Sequence, residues 1–487
     1  MREIPYLRVA NVQRGFLDLQ EIKTILAEDS EIESLRLRKG DIVFTEGGDR
    51  DKLGRGWVWN EEIDDCIYQN HIFRARPIAS LAEPKFVSFH GNFFGQKWFT
   101  RTGKQTTNLA SINKGVLNRF PVPLAPLNEQ RRIVAKIEEL FSELDAGVAA
   151  LKRAKANLKR YRAAVLKAAV EGKLTEQWRS EHPATEPASQ LLARILTERR
   201  QKWEAEQLTK FAAAGKEPTK NWRTKYVEPE QPKLSDLPSL PESWTWATLD
   251  QLLTYLRNGY FQSPSGAETG TPILRINAVR PLSVDLAEAR FLDKIDGCVD
   301  DFFIANGDLL FTRYNGSVDL LGVAGLVRGC TESILHPDKL VRVKLVLGEP
   351  LPSYIEIAAN VSVSRKHMVG RARTTAGQTG ISGPDIREMP VPLPPLDEQT
   401  CINLEVAEKL SLIDAAETAI ERGLLRAARL RQSILKQAFE GKLVPQDPQD
   451  EPASRLLSEL KEVKTAIGVA DSAAPRQNGR KRKGGVR

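Results

Sequence analysis

Arginine, lysine, asparagine, glutamine and hydroxyl side chains on loops beside strand ends are the groups that reach phosphate oxygens and base edges. The sequence carries such groups in four places. Glu46-Gly-Gly-Asp-Arg50-Asp-Lys52-Leu-Gly-Arg55-Gly joins a flexible backbone to the cations Arg50, Lys52 and Arg55. Thr312-Arg313-Tyr-Asn315-Gly-Ser317 offers Arg313, Asn315 and Ser317 at the equivalent place further on. Arg101, Lys104, Gln105 and Thr106 form a third set, and Arg371, Arg373, Thr374, Thr375 and Gln378 a fourth. The chemistry open to them is recognition of a polyanion by charge and hydrogen bonding. The competing reading of each set is a solvated turn.

Nothing in the sequence assembles a bond-making site. An Asn or Asp followed by Pro-Pro and an aromatic, as in amino-methyltransferases, is absent, and so is the GxxxxGK[ST] loop of a translocating ATPase. His71, His90, His182, His336 and His367 show no metal spacing, and Cys66, Cys298, Cys330 and Cys401 form no C-x-x-C pair. The cysteines are read as small buried apolar residues. Arg8 and Arg275, each inside an apolar strand, are read as ion-pair partners, and Gly40-Asp41 and Gly307-Asp308 as turns.

The formal net charge of +8 over 487 residues suits a polyanionic partner, because cations that neutralise phosphates release counterions. With 41% hydrophobic and 28% charged residues the composition is that of a globular chain, and no apolar run approaches the ~18 residues a membrane span needs. The N-terminal MREIPYLRVANV has no apolar signal region, so a cytoplasmic location is expected.

The elements that must position these groups come from a duplication. Residues 121–174 align without a gap on 390–443 at an offset of 269, with 24 of 54 positions identical. Prolines forbid helix up to Pro126 and Pro395, Asn128 and Asp397 are good N-caps, and Gly172 and Gly441 suit the left-handed position that ends a helix. Two helices of roughly 43 residues are predicted, a length that points to a coiled coil. Ile137, Leu144, Leu151, Leu158 and Val165 recur every seven residues, and their repeat partners are Val406, Ile413, Ile420, Ala427 and Ile434. A second seam position carries Leu140, Gly147, Ala154, Tyr161 and Ala168 in the first copy, with Ala416, Gly423 and Leu430 in the second. Small residues there would allow close approach. Packing of each helix on its own domain is the alternative.

The repeat extends upstream more faintly. Ile4-Pro-Tyr-Leu-Arg-Val9 matches Thr271-Pro-Ile-Leu-Arg-Ile276, and Gly40-Asp-Ile-Val-Phe-Thr45 matches Gly307-Asp-Leu-Leu-Phe-Thr312, both at an offset of 267 and both strand-like. Between these the copies diverge, as two sites of different specificity require. A polar stretch, a helix from about Ala188 to Phe211 and a proline- and lysine-containing linker separate the repeats, and a second domain opens at Trp244-Thr-Trp246. Pro475–Arg487 reads as a short, basic, disordered tail.

PVPLPPLxEQ followed by a long helix ending in EGKL, twice around two dissimilar domains, resembles the specificity subunit of type I restriction-modification enzymes. The match covers nearly the whole chain. It implies an α/β (mixed α+β) fold in which two globular target-recognition domains are joined by two long antiparallel coiled-coil helices. The recognition domains would be 1–120 and 241–389, with conserved regions and spacer helices at 121–174 and 390–443, a helix and linker at 175–240, and a C-terminal segment with a basic tail at 444–487. It also implies a non-catalytic subunit that reads a bipartite target in double-stranded DNA and docks two modification (methyltransferase) subunits, which restriction (helicase–nuclease) subunits join. S-adenosylmethionine, ATP and Mg belong to those partners, and no cofactor, metal or membrane to this chain. A protein-interaction scaffold with coiled-coil helices that binds no DNA is the alternative. The sequence departs from the pattern in one place. Residues 241–271 open the second domain, whereas only four residues precede Pro5, so the first domain is expected to lack its opening segment.

Overall fold

The computed structural model describes residues 1–105, 110–262, 269–375 and 378–472. Its two longest elements are helices Leu127–Val170 and Leu396–Phe439, 44 residues each. Both start directly after proline, so Asn128 and Asp397 lie inside the first turn instead of capping it. The Gln130 and Gln399 amide N–H groups close that turn on the carbonyls of Pro126 and Pro395, both at 2.9 Å. Their side chains reach back to the carbonyls of Ala125 and Pro394, both at 2.8 Å. The repeated Pro-Leu-x-Glu-Gln thus fixes the entry of each helix. Gly172 and Gly441, at φ 72° and 69°, end the helices in the left-handed conformation that glycine adopts without strain.

Two compact units divide the chain, residues 1–153 with 420–487 and residues 154–419. The first contains the strands Arg2–Leu7, Lys23–Ala27 and Ile67–Tyr68 in one sheet and a second sheet in the order Gly56–Val58, Ile42–Thr45, Ile72–Ala75. Helices Pro84–Phe93 and Gly95–Thr102 pack beside them. The second unit has a four-stranded sheet in the order Leu253–Asn258, Leu340–Leu345, Leu309–Thr312, Ala324–Leu326, with helices Leu351–Ala359 and Ser362–Gly370 in matching places. Ile42–Thr45 and Leu309–Thr312, fully buried runs expected as strands from the faint repeat, are central strands of both sheets. The turns before them match as well. Asp41 accepts from the Arg38 amide and Asp308 from the Ala305 amide, both at 2.8 Å, after glycines at φ 89°.

The long helices pair antiparallel within each unit. In the first, Ile133, Val134 and Ile137 pack against Ile434, Leu435 and Ala438. In the second, Val165 and Ala169 share a core with Ile402 and Val406. The same ion pair occurs in both: Arg431 binds Asp145 in the first unit, and its repeat counterpart Arg162 binds Asp414 in the second, with Glu417 at 3.1 Å. The first seam position is buried at Ile137, Val165, Val406, Ile413, Ile420, Ala427 and Ile434, and half-buried at Leu144, Leu151 and Leu158. The second seam position is mixed: Leu140 packs on the core of Ile133, Ile137 and Ile434, and Ala154, Ala168 and Ala416 are half-buried. Tyr161 and Leu430 are exposed, and a side chain on Gly147 would meet nothing within 4 Å. Gly423 permits close approach, since a Cβ there would stand 3.1 Å from Leu151. A straight helix drifts against a strict heptad, so the first row tracks the partner throughout while the second faces it only in places.

Other elements fall outside the sequence reading. Helix Ala188–Ala213 runs slightly beyond its expected end, and Glu176–Glu181 and Ala453–Ser472 are further helices. Of the cysteines only Cys66 is buried; Cys330 and Cys401 are half-buried, and Cys298, directly after Gly297 at φ 81°, is exposed. The basic tail from Pro475 lies outside the described residues. No helix among the described residues is long and apolar enough to cross a membrane.

Candidate nucleic-acid interface

The structure joins the candidate loops in pairs. In the first unit the edge Gly47–Gly48 pairs with Ala110–Ser111, which pairs with Lys104–Gln105, making a three-stranded ribbon. In the second, Tyr314–Asn315 pairs with Gln378–Gly380, which pairs with Arg373–Thr375. The registers correspond: Gly47 faces Ser111 as Tyr314 faces Gly380. Each ribbon therefore unites the loop after the buried central strand with the hairpin before the long helix. Thr106 lies outside the described residues, as do the side chains of Lys104, Gln105, Thr375 and Gln378.

The side chains divide by what already holds them. Arg50 and Arg373 are exposed, and no ion pair among the described residues involves either. Lys52 binds Asp49 across the short helical turn Arg50–Lys52. Arg55 turns inward, donating to Gln13 Oε1 at 2.9 Å and the Val9 carbonyl at 3.3 Å, and burial lowers its pKa against the pull of Asp51 and Asp49. Arg101 lies over the Trp98 ring at 5.9 Å. Arg371 pairs with Glu388 at 2.8 Å. Asn315 accepts from the Ser317 amide at 3.0 Å, which shapes the loop, and Ser317 is exposed. The hydroxyls of Thr374 and Thr379 meet across the hairpin at 3.1 Å.

Two contributors were not on the sequence-derived list. Tyr314 lies flat under the Arg313 guanidinium at 4.8 Å, and it can do so because residue 380 is glycine: a Cβ there would fall 2.4 Å from the ring. Arg14 ties the first loop down through the carbonyls of Asn92 and Asp51, both at 2.8 Å. The alternation of Tyr314 with Arg313 was the available signal for the first. Nothing local marks Arg14. Arg8 and Arg275 form ion pairs with Glu21 at 3.2 Å and Glu288 at 3.0 Å. Among the described residues no group of three or more His, Cys, Asp or Glu is placed to hold a metal ion. The site offers charge, hydrogen bonds and aromatic faces.

No family model matches the chain. Curated relatives do. The chain is 29% identical over 484 residues to the type I restriction enzyme EcoKI specificity subunit of Escherichia coli (strain K12), covering 96% of this chain and 89% of that one. It is 23% identical over 479 residues to the StySPI specificity subunit of Salmonella potsdam, with the same coverage. Two solved structures share the fold. A chain from a type I R-M system, studied for complex assembly and conformational transition, matches at TM-score 0.56 and 18% identity over 91% of this chain and 92% of that one. The HsdS subunit from Thermoanaerobacter tengcongensis matches at TM-score 0.51 and 17% identity over 91% of both. Over nearly its whole length the chain is thus similar to curated type I restriction-enzyme specificity subunits, and it shares the fold of the HsdS subunit.

Proposed function

We propose that the chain reads a bipartite sequence in double-stranded DNA and directs methylation and cleavage carried out by partner subunits. The observation that carries this reading is the recurrence of one ribbon, in one register, in two domains whose ribbon residues differ. A shared frame with unshared side chains is what two half-sites of different sequence call for. Exposed Arg50 and Arg373 supply phosphate or base contacts, and the Arg313–Tyr314 stack supplies a rigid planar donor beside an aromatic face. Two modification subunits dock on the helix pair, and restriction subunits join that assembly. The long helices set the spacing: 44 residues at ~1.5 Å each give roughly 65 Å, enough for half-sites one or two helical turns apart.

The test is site selection from randomised duplexes by the chain with its modification subunits. Removing one heptad from both long helices should change the preferred spacer and leave both half-site sequences as they were. A changed half-site would refute the ruler, and retention of all duplexes independent of salt would refute DNA recognition.

A further inference from the structure

One position of the duplicated frame carries opposite charges in its two copies. Glu46 and Arg313 correspond at the offset of 267, each directly after a buried central strand and directly before the first strand of its ribbon. The backbone holds them alike. The Glu46 amide donates to the His71 carbonyl at 3.0 Å, and the Glu46 carbonyl accepts from the Ile112 amide at 2.8 Å. The Arg313 amide donates to the Lys339 carbonyl at 2.8 Å, and the Arg313 carbonyl accepts from the Ile381 amide at 3.0 Å. His71 and Lys339 each precede the strands Ile72–Ala75 and Leu340–Leu345, and Ile112 and Ile381 each follow the middle strand of a ribbon. Thr45 and Thr312, one residue earlier, are both fully buried. The two side chains therefore leave equivalent points of one frame.

Each is half-buried and oriented by a neighbour, with hydrogen-bonding capacity left over. The Arg313 guanidinium lies over the Tyr314 ring at 4.8 Å with Nε buried, and among the described residues no carboxylate pairs with it. Glu46 Oε2 meets His71 Nδ1 at 2.9 Å, which leaves Oε1 for another donor. Arginine can only donate, and an ionised glutamate can only accept.

That contrast separates the two kinds of DNA contact. Phosphates are the same in every half-site, so a phosphate that attracts Arg313 would repel Glu46 from the same place. Base edges differ. In the major groove guanine presents two acceptors, O6 and N7, which match the arginine fork, and cytosine presents the N4 amino donor, which matches a carboxylate. Adenine also has an amino donor, but the N7 acceptor beside it would repel a carboxylate.

We propose that this position reads a base in both units: Arg313 donates to O6 and N7 of a guanine in one half-site, and Glu46 accepts from the N4 amino group of a cytosine in the other. The inference rests on the reading of the two domains as DNA-binding.

The test is site selection from randomised duplexes by the chain with its modification subunits, using Arg313→Gln and Glu46→Gln. Glutamine pairs with N6 and N7 of adenine. Arg313→Gln should therefore change guanine to adenine at one base pair of one half-site, and Glu46→Gln cytosine to adenine at one base pair of the other. Each selectivity should shift by about tenfold to a hundredfold, with the remaining base pairs unchanged. Unchanged preferences at every base pair would overturn the proposal while leaving DNA recognition intact. So would a uniform weakening on all duplexes with a lower salt slope, the mark of a phosphate contact. An unaltered chain that selects no bipartite target would remove the underlying reading as well. Should a variant not fold, duplexes with 7-deazaguanine at each guanine in turn probe the unaltered chain. Loss of the N7 acceptor should weaken binding about tenfold at one guanine, and no effect at any guanine would overturn the Arg313 contact.

Discussion

Glu398 and Glu129 occupy the same repeat position with different surroundings, so truncating each to alanine compares one side chain with and without its partners. Glu398 is buried, with 2% of its side chain exposed, and accepts from Thr175, Arg179 and the Trp244 indole. Removing one partner of a buried ion pair costs about 3–5 kcal/mol, and a buried donor left unpaired about 1–3 kcal/mol. These losses overlap. Arg179 keeps the Gly172 carbonyl at 2.9 Å and is 21% exposed, which moves the total to the lower end, about 3 kcal/mol. Glu129→Ala removes a buried carboxylate that accepts no hydrogen bond among the described residues, so its loss should stay below about 1 kcal/mol. Amide hydrogen exchange resolved by peptide reads the two units separately. Protection across 390–406 should fall by about 3 kcal/mol in Glu398→Ala, and across 121–137 by under about 1 kcal/mol in Glu129→Ala. Equal losses, or a larger loss for Glu129→Ala, would show that the Thr175–Arg179–Trp244 contacts contribute nothing and that position alone sets the energy.

Ile137→Ala, at a fully buried seam position, should destabilise the first unit by about 2–5 kcal/mol, whereas exposed Tyr161→Ala should stay within about 0.5 kcal/mol; urea melts giving similar losses would reject the observed seam. Burial lowers the pKa of His90 and of His336 to about 4, so each fold prefers the neutral ring. Their contribution is present above pH 6.5 and disappears as pH falls from there toward 4, a swing of about 3 kcal/mol each. His90→Phe, among the rings of Phe94, Phe120 and Phe439, should therefore flatten the acid limb of first-unit stability, and an unaltered limb would count against the buried neutral imidazole. Arg373→Ala should lower the salt slope of DNA binding by about one without altering stability, whereas Arg55→Ala, which breaks inward contacts, should lower stability first; the reverse pattern would exchange their roles.

The long helices were legible because three independent signals coincide: prolines that forbid earlier helix, an uninterrupted heptad row, and terminal glycines. Their first turns were placed slightly late, because Asn128 and Asp397 look like caps while the carbonyls of Pro126 and Pro395 already serve the helix. The second seam row holds only in part, with Leu140 packed and Tyr161 and Leu430 exposed, because spacing cannot show which way a helix rotates against its partner. The ribbons were half legible. Their loops stood out by composition, but their pairing did not, since strands as short as Gly47–Gly48 and Ala110–Ser111 carry no alternation of apolar and polar residues. Arg55 shows the limit at single residues. A cation in a glycine-rich loop looks free until Gln13 and Val9, more than forty positions away, come within reach of it.

The duplication separates frame from content within one molecule. Positions serving the frame keep their chemistry across the offset: Asp41 and Asp308 at the turns, Gln130 and Gln399 at the helix entries, Asp145–Arg431 and Arg162–Asp414 between the helices. Positions on the ribbon loops do not. At the same offset of 267, Arg50, Lys52 and Arg55 of the first loop correspond to Ser317, Asp319 and Gly322 of the second. Of the second ribbon's cations, Arg373 matches Lys104 at the offset of 269, whereas Arg313 stands where the first copy has Glu46. Both units thus carry a cation on the hairpin strand, and the first adds three from its loop. The difference between the loops fits the proposal that the two domains are addressed to unlike half-sites.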